Sequence, residues 1–513
     1  MKKTLIYRFS MSILIAVIII VSSLYLLRPI NDPDFFWHLK TGEWIWQYKK
    51  LPSEALFSYT PPPLLAIREY FTLTEYWLSQ LIYNFFYLSI GIDGIVFLRF
   101  IIVAAIVYFM IKRQHGDSML YYGLLIIFII SLLEIYPIER PQAFSFLYFA
   151  ILLFLLEKVE DKVGRYTIPL LMLVWANSHG GYLIGQVTIV LYVLLEGIKF
   201  THPSLRPMKK AGYKRLLVTG FSGIVFSLIN PNTYHALEMV ITMPAYHSYA
   251  NVEYESTLEF FRRFNAQSII LYWFIMIFTF IGIIISLKRA DITQIMLLAG
   301  TGFFSFIQVR YVAFFLIAAL PVMSRCYSKE DIKKWGKALV ILIVLIAILF
   351  FMLNEIPNIE NIYTGRWIDK RLFPVDAAEF IIANDIKGNM YNHFDWGGYL
   401  IWRLSPERKV FADGRSLNDN IYWQSLAINM ADAKEDAGVP RWKALLKSYD
   451  IRYIITSPFW ISGHAIPLVN ELMKDKDWIL VFSDSNSVVF VKDLPENYHI
   501  IKKCSIPKKI LYR

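Results

Sequence analysis

Long apolar runs separated by short polar stretches fill the first 350 residues. Runs near the length that crosses a bilayer recur at roughly 9–27, 92–111, 118–136, 142–157, 166–178, 181–198, 214–230, 268–287, 292–309, 311–324 and 338–353, which predicts about eleven spans. The stretch 75–90 (EYWLSQLIYNFFYLSI) is shorter and amphipathic, and predicts a helix lying in the membrane interface. Past Leu353 the pattern turns polar and mixed. It predicts strands at 389–391, 409–412 and 452–456, and a hairpin of 478–482 with 487–491 turned by Asp484-Ser485-Asn486. Helices are predicted at 375–384, 396–404, 440–448 and 465–474. The expected fold is therefore a polytopic α-helical membrane protein with a C-terminal extracytoplasmic α/β domain. Its transmembrane domain would span 1–353, with a first outer loop at about 28–91, and its outer domain 354–513.

Charge fixes the orientation of this map. The net charge of +11 would suggest nucleic acid for a soluble chain, but 56% of residues are hydrophobic and mean hydropathy is +0.44. With the N-terminus inside, the inner segments hold about 21 lysines and arginines in about 58 residues, whereas the outer segments before residue 354 hold about nine in about 115. That asymmetry follows the positive-inside rule and predicts a cytoplasmic membrane location with the C-terminal domain outside and no nucleic-acid partner. The N-terminus begins like a signal peptide, with Lys2, Lys3 and Arg8 before an apolar run. The run is long for one, and no small-residue cleavage site precedes Arg28-Pro29, so a retained first helix is expected. Cys326 and Cys504 fall on opposite sides, which argues against a disulfide or a cysteine metal site.

Candidate chemistry collects at the outer ends of the spans. Asp32 and Asp34 stand in Asn31-Asp32-Pro33-Asp34-Phe35-Phe36-Trp37-His38, just past the first span. Carboxylates are costly against a bilayer unless they do chemistry or bind a cation. Glu139-Arg140-Pro141-Gln142, Asn177-Ser178-His179-Gly180-Gly181, Asn230-Pro231-Asn232, the acids Glu253, Glu255 and Glu259, and Arg310 join them on that side. The inner loops offer mostly Lys and Arg. One outward-facing polar cavity would explain this, with carboxylates to activate an acceptor and Arg or His to hold an anionic leaving group such as phosphate. Plainer roles compete at each position. Asp32 can cap a helix beginning near Phe35, Arg140 and Arg310 can snorkel, and His179 can be a buried hydrogen-bonder. Phosphate-binding glycine loops, paired metal-ligand spacings and a nucleophile elbow are absent from the sequence, which leaves nucleotide-driven transport unsupported.

With these residues in view, the chain resembles the GT-C superfamily of integral-membrane glycosyltransferases. The resemblance rests on Asp32-Pro33-Asp34 after the first span and on Glu75-Tyr76-Trp77-Leu78 opening the interfacial helix. Asp34-Phe35-Phe36-Trp37-His38 is similar to the first-loop motif of oligosaccharyltransferase catalytic subunits. Phe394-Asp395-Trp396-Gly397-Gly398-Tyr399, followed by Phe411-Ala412-Asp413-Gly414-Arg415, looks like their acceptor-reading Trp-Trp-Asp-Tyr-Gly region, although His393-Phe394-Asp395 replaces Trp-Trp-Asp. Ser256-Thr257-Leu258-Glu259 is loosely similar to their Ser/Thr-x-x-Glu loop. A plainer reading of 395–398 is a strand-to-helix turn, with Asp395 as N-cap and the glycines for backbone freedom.

What the resemblance implies is an inverting enzyme that takes a sugar from a polyprenyl-phosphate-linked donor in the membrane lipids. The acceptor would be a glycan, lipid or protein of the cell envelope. Asp34 would be the catalytic carboxylate and Asp32 its support, or the two would share a divalent cation, Mg or Mn. His38, Arg140, His179, Arg310, Glu253, Asp395 and Trp396 would bind substrate. The alternatives are transfer of a whole glycan to protein, transport of a lipid-linked solute, and a non-catalytic envelope-assembly scaffold.

Overall fold

The computed structural model describes residues 25–60, 66–114, 119–159, 164–236, 238–239, 252–285, 291–326, 367–436, 438–460 and 463–508, with single positions at 16, 22, 342, 345, 346 and 349. Nearly all of the first and last predicted spans thus lies outside the described residues. The chain forms two compact units, Met1–Arg28 with Phe85–Trp367, and Pro29–Asn84 with Ile368–Arg513. This division differs from a boundary at 353, because the first loop packs with the C-terminal residues.

In the first unit, nine predicted spans appear as helices among the described residues: Ile92–Arg113, Met119–Ile135, Gln142–Glu157, Gly164–Ala176, Tyr182–Ile198, Lys210–Ser227, Gln267–Ile285, Ile292–Ile307 and Val312–Cys326. Three, Ile92–Arg113, Tyr182–Thr201 and Gln267–Ile284, are long and apolar enough to cross a membrane by themselves, and several others are shorter and apolar. The Val312 helix is central, with Val312, Phe315, Leu316, Ile317 and Leu320 fully buried. Outer helices expose large apolar groups, among them Val187, Phe221 and Ile284. An apolar exterior of this kind suits hydrocarbon as solvent, since helices satisfy their own backbone groups there.

Charged groups cluster at both ends of this bundle, which corrects the expectation of plain Lys and Arg on the inner side. Arg113 pairs with Glu157 at 2.9 Å and donates to the Ile317 carbonyl. Lys199, itself buried, bridges Glu196 and Asp291 at 2.6 Å each, and Thr293 adds its hydroxyl to Glu196. At the other end Arg99 donates to the carbonyls of Leu26 and Arg28 and pairs with Glu139 at 3.0 Å. Buried charges persist only when paired in this way.

The second unit is built on four strands, β1 (Asn389–Asn392), β2 (Ile451–Thr456), β3 (Trp478–Ser483) and β4 (Val488–Lys492), in the sheet order β1-β2-β4-β3. β1 and β2 run parallel with Met390 opposite Tyr453, and β4 lies antiparallel to both β2 and β3. The Asp484 side chain accepts the Asn486 and Ser487 N–H groups and closes the predicted hairpin. Helices Val375–Ala383, Gly397–Leu404, Arg441–Ser448 and Pro467–Lys474 stand where the pattern placed them. Helices Asp419–Asn429 and Tyr498–Cys504 were not anticipated. The core joins sheet, helix and loop residues, including Tyr391, Phe411, Ile428, Trp442, Ile454, Leu472 and Phe490.

Residues 409–412 do not join the sheet, contrary to the strand expected there. Val410 instead makes a single parallel bridge to Ser58, with its N–H on the Phe57 carbonyl at 2.9 Å. The Asn392 side chain takes the Phe411 N–H and donates to the Ala412 carbonyl, so a side chain satisfies this backbone in place of a ladder. The first loop adds helices Pro33–Tyr48, Ile67–Thr74 and Trp77–Ile90. The expected 75–90 helix thus begins at Trp77, after a break. It buries Ser79, Gln80, Tyr83 and Asn84 while exposing Phe85, Leu88 and Ile90, the polarity of a helix facing lipid.

Candidate functional site

In the second unit the site is organised around the start of the Pro33–Tyr48 helix. Pro33 occupies its first position, where a missing N–H costs nothing. Asp32 is the N-cap, its Oδ1 accepting the N–H groups of Asp34 at 2.8 Å and Phe35 at 3.1 Å. Asp32 is buried, so the plainer reading made for it is observed. Asp34 lies in the first turn, half-buried, and accepts the Trp37 indole N–H at 3.1 Å. A carboxylate here is favoured by the helix dipole.

Three glycines bring the C-terminal residues up to this turn. A Cβ on Gly398 would stand 2.1 Å from the Pro33 carbonyl oxygen, and one on Gly414 2.0 Å from Asp34 Oδ1. A Cβ on Gly397 would meet the Ala412 carbonyl oxygen at 2.4 Å. These glycines therefore permit close approach. Asp395 is not the cap of the Gly397 helix; Trp396 holds that place without a side-chain bond, after a short 3-10 turn. The loop bearing Gly414 is pinned by a buried ion pair. Arg415 contacts Asp413 through Nε at 2.6 Å and Nη2 at 2.8 Å, and donates to Ser58 Oγ at 3.0 Å. The pair is bidentate, the geometry that gives Arg its specificity.

The other residues singled out in this unit have packing surroundings. His38 is buried, tilted against Trp37 and edge-on to Tyr76, with the Gln80 amide 3.1 Å from its Nδ1. Trp396 is buried and donates to the Leu372 carbonyl at 2.8 Å. Asp395 is largely exposed, 4.0 Å from His393 Nδ1. Burial lowers the His393 pKa, and the Asp395 charge opposes that shift.

The first unit gathers a second set. Arg140 forms an ion pair with Glu253, so these two predicted ligands meet each other. Arg310 sits in the turn Val309–Tyr311, its guanidinium 4.8 Å from the Tyr254 ring centroid. Tyr136 holds that turn, donating to the Val309 carbonyl and accepting the Ala313 N–H. His179 accepts from the Gly181 N–H at 2.9 Å and lies 2.8 Å from Ser145 Oγ. Burial, with the Arg310 charge second, pushes its pKa down to about 3. Ser256 and Glu259 form a reciprocal capping box on the helix Thr257–Phe264, which accounts for Ser-x-x-Glu structurally. Among the described residues no group of three or more His, Cys, Asp or Glu side chains converges as a metal site. A cation would thus rest on Asp32 and Asp34 with one Asp32 oxygen already capping.

Ser145, Trp175, Tyr136 and Tyr254 join these clusters with no signal in the sequence pattern to mark them. Gly414 and the Asp413/Arg415 pair stood in a quoted motif, but their partners in the first loop are set by tertiary contact.

No protein-family model and no curated protein sequence matches the chain. Among solved structures, it is similar to the oligosaccharyltransferase AglB of Archaeoglobus fulgidus in complex with an inhibitory peptide and a dolichol-phosphate, at TM-score 0.52 and 10% identity, over 95% of this chain and 75% of that one. The apo form of the Archaeoglobus fulgidus oligosaccharyltransferase gives TM-score 0.50 and 11% identity, over 94% and 75%. ArnT from Cupriavidus metallidurans overlaps more slightly, at TM-score 0.49 and 11% identity, over 94% and 98%. The GT-C resemblance seen in the first-loop aspartates thus has its counterpart in the fold.

Proposed function

We propose that this protein is a membrane glycosyltransferase that moves a sugar from a polyprenyl-phosphate-linked donor to an envelope acceptor on the outer face of the membrane. The observation that carries this reading is the Asp34 carboxylate, half-buried at a helix start and fitted against a glycine, in a chain with the GT-C fold. Asp34 orients or deprotonates the acceptor nucleophile. Arg310, with His179, holds the anionic phosphate as it departs. Arg140 acts less directly, because its charge is balanced by Glu253. If a divalent cation takes part, Asp32 and Asp34 hold it, and it supplies Lewis-acid stabilisation of the leaving phosphate. The dolichol-phosphate in the AglB complex supports a lipid carrier.

Transfer of a glycan to protein is the second reading, favoured by the peptide in that same complex. Mass spectrometry of envelope glycans and glycoproteins separates the two, comparing wild type, a deletion and Asp34→Asn at matched expression. Loss of one glycan in both mutants is the expected result, and its site of attachment names the acceptor. Normal glycans in the Asp34→Asn strain would reject Asp34 as the catalytic group.

A further inference from the structure

Three donors form a short chain ending on one ring nitrogen of His179. The Trp175 indole N–H donates to Ser145 Oγ at 2.7 Å. The same hydroxyl lies 2.8 Å from His179 Nδ1, a bond whose direction depends on the histidine tautomer. The Gly181 backbone N–H, which can only donate, bonds Nδ1 at 2.9 Å. A nitrogen that accepts a backbone N–H carries no proton, so the Ser145 hydroxyl donates to it as well. The imidazole is then uncharged, with its hydrogen on Nε2.

The surroundings agree with this. Arg310 is the cation whose field reaches the ring, and it opposes an imidazolium in the same sense as burial does. Glu253, which would favour the charged form, is paired with Arg140. Gly181 makes the arrangement possible, because a Cβ there would lie 2.5 Å from Ser145 Oγ and 2.8 Å from His179 Nδ1. A serine–histidine nucleophile is a competing interpretation of the same contact. Ser145 is fully buried, out of reach of any substrate, which excludes it.

We infer that Ser145, Trp175 and Gly181 are positioning residues that fix His179 as an uncharged Nε2–H donor for a phosphate oxygen. The histidine binds the anion without taking or giving a proton, and Arg310 supplies positive charge. The inference rests on the reading in which Arg310 and His179 receive the carrier phosphate, and it deepens that reading by assigning the histidine's protonation state.

The test uses the full chain in lipid nanodiscs with 15N-labelled histidine, and His179→Gln to assign the signal. The expected spectrum shows His179 as the Nε2–H neutral form from pH 8 to pH 5, and Ser145→Ala shifts its titration upward toward the ordinary range. A wild-type His179 that titrates near pH 6.5, or that carries its proton on Nδ1, would overturn the inference while leaving glycosyl transfer untouched. Binding of a short-chain polyprenyl phosphate to the same nanodiscs is the second measurement. After allowance for the ligand's own second ionisation near pH 6, affinity should show no further pH dependence between 5 and 8 in wild type, and it should fall about tenfold in His179→Ala, on the scale of one hydrogen bond to a charged group. In Ser145→Ala it should fall several-fold and gain a further pH dependence. The neutral tautomer with unchanged phosphate affinity in His179→Ala would make the lock purely structural and reject the phosphate role.

Discussion

Asp32 and Asp34 are two residues apart and chemically distinct. Asp32 turns inward and satisfies two N–H groups at a helix start, whereas Asp34 sits half-exposed against Gly414. Asparagine caps a helix as well as aspartate does, so Asp32→Asn should leave stability nearly unchanged, while Asp32→Ala costs about 1 kcal/mol. Thermal unfolding of the detergent-solubilised protein checks that difference. Activity adds a second readout. Full transfer by Asp32→Asn would identify Asp32 as a cap alone, and a loss at unchanged stability would mean that its charge serves a cation or the acceptor. The sequence allowed both roles for Asp32. Through the resemblance it made Asp34 the catalytic carboxylate and Asp32 its support, and the structure adds the contacts that each carboxylate makes.

Among elements, the Gly397–Leu404 helix shows how a local pattern can be right in position and wrong in cause. Its start was legible from Asp-Trp-Gly-Gly, and the glycines were read as giving the backbone freedom. Their use is steric, since backbone oxygens of Pro33 and Ala412 occupy the space a side chain would need. The same argument at Gly414 concerns Asp34 directly. Gly414→Ala should lower transfer at least tenfold while costing about 1–3 kcal/mol of stability, the usual range for overpacking. Activity of the folded variant, normalised to its yield, checks this. Wild-type turnover would mean that the Asp34 carboxylate shifts without consequence. The extended segment at 409–412 was misplaced in the sheet for a related reason. Its apolar alternation fits any paired strand, and only the Asn392 side chain and Phe57–Tyr59 reveal where its backbone is satisfied.

At the scale of the molecule, the second unit is discontinuous in sequence. Ile30 bridges Ile368, Ser58 bridges Val410, and Arg68 pairs with Asp419 at 2.8 Å, so residues 29–84 are folded by partners more than 300 positions away. Truncation after residue 353 would therefore remove more than an appended domain. We expect the truncated chain to lose activity and to become sensitive to limited proteolysis within 49–60, where the full chain resists. Resistance equal to that of the full chain would show that the first loop folds without the C-terminal residues.

The sequence by itself determined most of the apolar helices among the described residues, most of the C-terminal elements and the first-loop aspartates, because each follows from local periodicity, turn residues or the cost of charge near lipid. Tertiary structure decided what those residues meet. It joined the first loop to the C-terminal sheet, balanced Arg140 with Glu253, and buried His38 and Trp396. It also placed Ser145 and Trp175 behind His179. Each of these outcomes depends on which groups meet across long separations in the chain, and a one-dimensional pattern of polar and apolar residues carries no term for that.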